Sequence, residues 1–171
     1  ADERIATGAD DLDTMLNGGF LPSSMVLVRG APGTGKTSLA LQFLIHGAEQ
    51  GEAGLFVSFE EFPSSLYRDA RSLGWDLKEF EETGMLHLIF TSPEVFLASL
   101  EPPDSSLNQL IREAHIRRLV LDSVSHFDRL TDDSQELRRL YTRVVNGLRR
   151  EQITALLLGE ESRSSYRQAF K

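Results

Sequence analysis

Short apolar runs rich in β-branched residues alternate along this chain with stretches in which apolar residues recur every three or four positions. The runs predict strands at Met25 to Arg29, Leu55 to Phe59, Met85 to Phe90, Arg118 to Asp122 and Ile153 to Leu158. Each is nearly continuous in apolar character, the pattern of a strand covered on both faces, and the regular insertion of helical segments predicts repeated βαβ units around a mainly parallel sheet.

The helical segments have clear stripes. Thr37 to Gln50 places Leu41, Leu44, Ile45 and Ala48 on one side, and Gly51 stands where a C-terminal cap belongs. Ser65 to Leu73 and Leu77 to Glu82 read as two short helices parted around Gly74, and Ser106 to His115 aligns Leu107, Leu110, Ile111 and Ala114. The longest, Ser134 to Arg150, carries Leu137, Leu140, Tyr141, Val144, Val145 and Leu148 at helical spacing with polar residues elsewhere. Glu101 to Ser106, with two prolines, reads as an exposed loop. No repeat or linker interrupts the pattern, so residues 1–171 form one α/β domain on this reading.

Composition narrows the setting. Hydrophobic residues make up 40% and charged residues 26%, with no apolar run long enough to span a bilayer and no basic-then-apolar leader, so the expected compartment is the cytoplasm. The absence of cysteine excludes disulfides and thiol catalysis. A formal net charge of −8 argues against a general grip on nucleic acid, which depends on cationic neutralisation of phosphates. The arginines that could form a local patch, Arg117, Arg118, Arg138, Arg139, Arg149 and Arg150, are interleaved with Glu113, Glu136 and Glu151, as on a solvated helix face.

Gly30 to Thr37 reads G-A-P-G-T-G-K-T, a full match to GxxxxGK[ST], with an apolar strand before it and a helix after it. Glycines at 30, 33 and 35 allow a backbone whose N–H groups turn inward on phosphate, and the helix N-terminus adds its positive dipole end. The candidate phosphate-binding set is Gly30, Ala31, Pro32, Gly33, Thr34, Gly35, Lys36, Thr37 and Ser38. Lys36 would reach the β- and γ-phosphates of ATP, and the Thr37 hydroxyl would ligate Mg²⁺.

Such a loop expects a metal-associated carboxylate at the end of another strand, and Asp122 ends the run Arg118-Leu119-Val120-Leu121. Glu60 and Glu61, after the run Leu55 to Phe59, suit a general base that orients a water for attack on the γ-phosphate. Neighbouring residues point different ways from a strand, so one of the two faces the nucleotide. Ser123, Ser125 and His126 follow Asp122 at the strand end where open α/β sheets bind ligands; His126 reads either as a packing residue or as a sensor of the γ-phosphate or of a partner.

The stretch from Thr7 to Phe43, then "GLFVSFEE" and "RRLVLDSVSHF", resembles the RecA superfamily of P-loop ATPases and, within it, the KaiC-like and RadA-like branch. Thr7-Gly8, Leu12-Asp13, Leu16, Gly18-Gly19 and Pro22 match that branch's lead-in to the phosphate loop. The resemblance covers roughly Arg4 to Gly159. It implies a RecA-like P-loop NTPase fold with helices on both faces of the sheet, ATP and Mg²⁺ as ligand and cofactor, Glu60 and Glu61 as the catalytic glutamate pair, and Asp122-Ser123 as the end of the Walker B strand.

The same resemblance implies ATP hydrolysis coupled to subunit or partner contacts, release of ADP, and a homo-oligomeric ring, with a hexamer among the options. Autokinase activity is left open. In that branch further strands follow the one at Ile153 to Leu158, and the arginine or lysine that acts across a subunit boundary comes from them, so the chain reads as ending early. Arg163 and Arg167 lie in a short polar tail; Arg29, Arg117 and Arg118 are the other candidates for a missing cation. Two alternatives remain: a RadA-like ATPase of DNA repair or recombination, disfavoured by the acidic connection after Asp122, and a nucleotide-gated interaction module with little turnover.

Overall fold

The computed structural model describes residues 3–31, 35–60 and 63–161, with Pro63 described by its backbone alone. The elements run α1 (Asp10–Met15), β1 (Met25–Arg29), α2 (Lys36–Glu49), β2 (Ala53–Ser58), α3 (Pro63–Ser72), α4 (Leu77–Glu82), β3 (Leu86–Phe90), α5 (Pro93–Leu100), α6 (Ser106–Glu113), β4 (Ile116–Asp122), α7 (Ser125–Asp128), α8 (Ser134–Arg150) and β5 (Thr154–Gly159). The five strands form one sheet in the order β1-β5-β4-β2-β3, and every pairing is parallel. The α/β fold and parallel sheet expected from the chain's alternation are therefore observed.

Side chains alternate across each strand, and the two sets fill separate cores. Leu55 and Val57, Leu119 and Leu121, and Ala155 and Leu157 face α5, α6 and α8, meeting Phe96, Leu107, Ile111, Val144 and Leu148. Phe56, Val120, Leu156 and Leu158 face α2, α3 and α4, meeting Leu41, Phe43, Leu44, Leu66 and Leu77. Helices thus cover both faces, as the resemblance implied.

Strands β2, β4 and β5 lie inside the sheet and are almost wholly buried, whereas β1 and β3 form its edges. The expectation that every strand is covered on both sides fails there: Leu27 is 48% exposed and Phe90 47%. An apolar run does not reveal whether its strand is central or at an edge, because that depends on strand order.

Three helices escaped the periodicity reading. They are α1, α5 and α7, of six, eight and four residues. α5 nevertheless has local signals: Ser92 accepts a hydrogen bond from the Val95 N–H, and Pro93 opens the first turn. No described helix is long and apolar enough to cross a membrane.

The lead-in before β1 is a knot of hydrogen bonds. Asp13 accepts from the Thr7 N–H (2.8 Å), the Thr7 hydroxyl (2.7 Å) and the Gly8 N–H (3.0 Å). Ile5 pairs antiparallel with Phe20, and a Cβ on Gly19 would stand 2.2 Å from the Ile5 carbonyl oxygen, which with a φ of 134° requires glycine. Gln42 of α2 donates to the Gly8 carbonyl at 2.8 Å. The residues that carried the family resemblance upstream of the loop therefore serve to seat this segment on α2.

Candidate functional site

Parallel register brings the candidate residues to one edge of the sheet. Ser58 pairs with Asp122, Asp122 with Leu158, and Val28 with Leu158, so the C-terminal ends of four strands stand level. Hydrogen bonds carry the ladder one step further, from Gly30 N–H to Gly159 O (3.2 Å), Phe59 N–H to Asp122 O (2.8 Å) and Val124 N–H to Leu158 O (2.8 Å). The start of the candidate phosphate loop, the residues before Glu60 and the turn after Asp122 are thereby held side by side.

An open cleft of about 520 Å³ lies along this edge, lined by Gly35, Lys36, Thr37 and Ser38 from the start of α2, Glu60, Asp122 and Ser123, Asp69 and Ser72 of α3 with Leu73 just after it, and Gly159 and Glu160. Its size suits a nucleotide-scale ligand. Gly35 caps α2 with φ 90° and ψ 11°, a left-handed conformation that disfavours any side chain, and frees the first N–H groups of the helix. Lys36 bends back over the loop and donates to the carbonyl oxygens of Gly30 and, at 3.3 Å, Ala31.

Asp122 follows Val120 in strand parity, so it leaves β4 on the α2 side, toward Lys36. Its carboxyl pKa is raised above the usual range, first by burial and then by the charge of Glu60; Lys36 and His126 oppose the rise, and Glu160 adds to it. The Glu60 carboxylate, 57% exposed, lies 2.9 Å from Nε2 of His126.

Of the candidate set, the fold brings together Lys36, Thr37, Ser38, Glu60 and Asp122, with Gly30, Ala31 and Gly35 in the loop backbone. Pro32, Gly33, Thr34 and Glu61 lie outside the described residues, as do Arg163 and Arg167. Glu160 and the α3 residues Asp69 and Ser72 were not foreseen, because nothing in a polar helix face shows that tertiary packing will turn it toward a loop more than 30 residues away.

The expected cations need correction. Arg118 lies at the opposite end of the sheet from the loop, 2% exposed, donating to the carbonyls of Ala6 (2.6 Å) and Phe43 (2.8 Å) and to Glu52 (2.9 Å). Arg117 lines a separate polar cavity there with His115 and Gln152. Neither reaches the cleft. Arg29 is near it, but its guanidinium bonds the Glu160 carbonyl at 3.3 Å and faces Asp128 at 3.7 Å. The acidic connection after Asp122 is structural in part: Asp133 caps α8, and Asp128 accepts from Tyr141 at 3.0 Å.

Comparison with known proteins agrees with this geometry: the family model described as "ATPase: KaiC" matches residues 5–171. The chain belongs to the KaiC family of ATPases. Within it, the chain is similar to a UPF0273 protein of Methanopyrus kandleri, with 32% identity over 92% of this chain and 67% of the relative. It is also similar to the circadian clock protein KaiC3 of Synechocystis (31% over 92% of this chain) and to the circadian clock oscillator protein KaiC of Parathermosynechococcus lividus (38% over 88%). Against those two this KaiC-family chain spans 33% and 27% of their lengths. The RecA-superfamily assignment drawn from the lead-in, the loop and the strand ends stands.

Proposed function

We propose that this domain binds Mg²⁺·ATP in the cleft and hydrolyses it slowly, in the cytoplasm, with nucleotide state coupled to contacts with other subunits or a protein partner. The observation that carries this reading is the meeting of Lys36 and Thr37 at the head of α2 with Asp122 and Glu60 from two other strand ends. Lys36 and the loop N–H groups bind the phosphates; the free chain's bonds from Lys36 to Gly30 and Ala31 are exchanged for phosphate oxygens. Glu60 or Glu61 accepts a proton from the attacking water and orients it in line.

The charge of the cleft supports a metal. Among the described residues, four carboxylates, Glu60, Asp69, Asp122 and Glu160, line it against one lysine, so a bare nucleotide polyanion would meet net repulsion from them. Among the described residues no three acidic or histidine side chains cluster closely enough to hold a metal by themselves. Thr37 and Asp122 suit a Mg²⁺ that keeps its waters and takes its remaining ligands from phosphate. When bound, that ion would neutralise charge developing on the β- and γ-oxygens.

Slow turnover follows from the same inventory. Among the described residues lining the cleft, Lys36 is the sole cation, and a further cation placed on the γ-phosphate is worth roughly 10³ to 10⁵ in rate where one operates. The resemblance to a ring-forming branch supports supply of that cation across a subunit boundary. ATP hydrolysis should be measured alongside mass in solution, with and without Mg²⁺·ATP. Slow, Mg²⁺-dependent multiple turnover is expected, and binding without any turnover would leave a nucleotide-gated interaction module instead.

A further inference from the structure

His126 lies in α7, in the turn that follows Asp122, and packing alone could account for a histidine there. Its contacts do more than fill space. Nδ1 lies 3.1 Å from the carbonyl oxygen of Ser123, the ring meets Phe59 edge-on with centroids 5.8 Å apart, and Nε2 lies 2.9 Å from Oε1 of Glu60. Phe59 is itself buried and wedged edge-on against Phe96 and Phe127. The imidazole is thus held by backbone on one side and by a packed aromatic cluster on another.

The two partners differ in freedom. His126 is 15% exposed and Glu60 57%. A glutamate that exposed would sample several rotamers on its own, and ordering it costs side-chain entropy at each turnover. A hydrogen bond from this half-buried, oriented ring anchors one carboxylate oxygen at the cleft wall and leaves Oε2 as the remaining acceptor. The proton for that bond sits on Nε2; a second on Nδ1 would serve the Ser123 carbonyl as well.

We propose that His126 is the positioning residue for Glu60, holding its carboxylate at the edge of the cleft so that it meets the attacking water in one orientation. The inference rests on the reading of Glu60 as the water-orienting base. Glu60 lines the cleft and His126 does not, so His126 acts through Glu60.

Two measurements test this. In the nucleotide-free protein, NMR of the histidine rings should show the His126 resonances moving on Glu60→Gln while those of His46, His87 and His115 stay in place; unmoved His126 resonances mean the pair does not form and overturn the proposal. In steady-state hydrolysis, His126→Ala should lower kcat roughly 10- to 100-fold, the scale on which orienting partners act, with KM and ATP affinity unchanged. His126→Gln, whose amide nitrogen can stand where Nε2 stands, should restore most of the rate.

An unchanged or raised kcat in His126→Ala overturns the proposal, as does equal loss in the Ala and Gln variants with a lowered melting temperature, which would mark a packing role. Failure of the underlying reading has its own signature: Glu60→Gln would then hydrolyse ATP at the parental rate even though the ring resonances shift.

Discussion

Gly47 and Arg118 compete for one space: a Cβ on Gly47 would lie 2.4 Å from Cδ of Arg118 and 2.5 Å from its Nε. The guanidinium passes over the Phe43 ring at 4.9 Å, and from there ties α2, β4 and the lead-in together. With Nε already lacking a partner among the described residues, the buried arginine has little room to move without leaving further donors unpaired. Gly47→Ala should therefore destabilise the domain by about 1–3 kcal/mol, despite the better helix propensity of alanine. Denaturant unfolding checks this, and a variant as stable as the parent would show that the arginine relocates freely.

Lys36→Ala removes a side chain whose bonds, among the described residues, go to its own loop, at Gly30 and Ala31. Folding stability should change by less than about 0.5 kcal/mol, as for surface positions generally, while ATP affinity or turnover is lost. Calorimetric titration with Mg²⁺·ATP, paired with a thermal melt, separates the two effects. Unchanged affinity and turnover would remove the phosphate-loop assignment.

Replacing both Glu60 and Glu61 with Gln keeps the shape of the pair but removes its capacity to take a proton. Nucleotide affinity should be retained and hydrolysis slowed by roughly 10²- to 10⁴-fold, the range of general-base catalysis. Parental hydrolysis in the double variant would reduce the pair to a solvated turn.

Asp122 binds its proton more tightly in the folded chain than in the unfolded one, because burial and the Glu60 charge raise its pKa. Between the ordinary carboxylate pKa and the raised value the folded form holds more protons, so stability falls as pH rises through that window and the ionised group is a cost at neutral pH. Asp122→Asn should accordingly melt higher than the parent at neutral pH without nucleotide, the gain vanishing below the usual carboxylate pKa. It should also lose most of the added stability that Mg²⁺·ATP gives the parent. Lower stability at both neutral and acidic pH would contradict the account.

Much of the domain was legible in the sequence because it is written at short range. β1 starts and ends at Met25–Arg29 as its apolar run predicts, and α4 and α8 match Leu77–Glu82 and Ser134–Arg150. Strand ends elsewhere shift by one or two residues: β4 begins at Ile116 rather than Arg118 because exposed Arg117 parts Ile116 from the rest of the run without interrupting the strand. The candidate loop's setting was equally readable, since the strand before it and the helix after it are contiguous with its glycine spacing and its lysine.

What the sequence by itself determined is the set of local commitments: which segments become strands and helices, where the glycine-rich loop motif lies, and which strand ends carry carboxylates. These depend on periodicity, backbone freedom and side-chain chemistry within a few residues. Only the tertiary structure decided that β5 lies between β1 and β4, that Leu27 and Phe90 fall on open edges, that Arg118 turns away from the cleft, and that His126 meets Glu60. Each of those facts joins residues far apart along the chain, through parallel register and side-chain packing. A one-dimensional pattern holds no record of which distant partner a strand edge, a guanidinium or an imidazole will find.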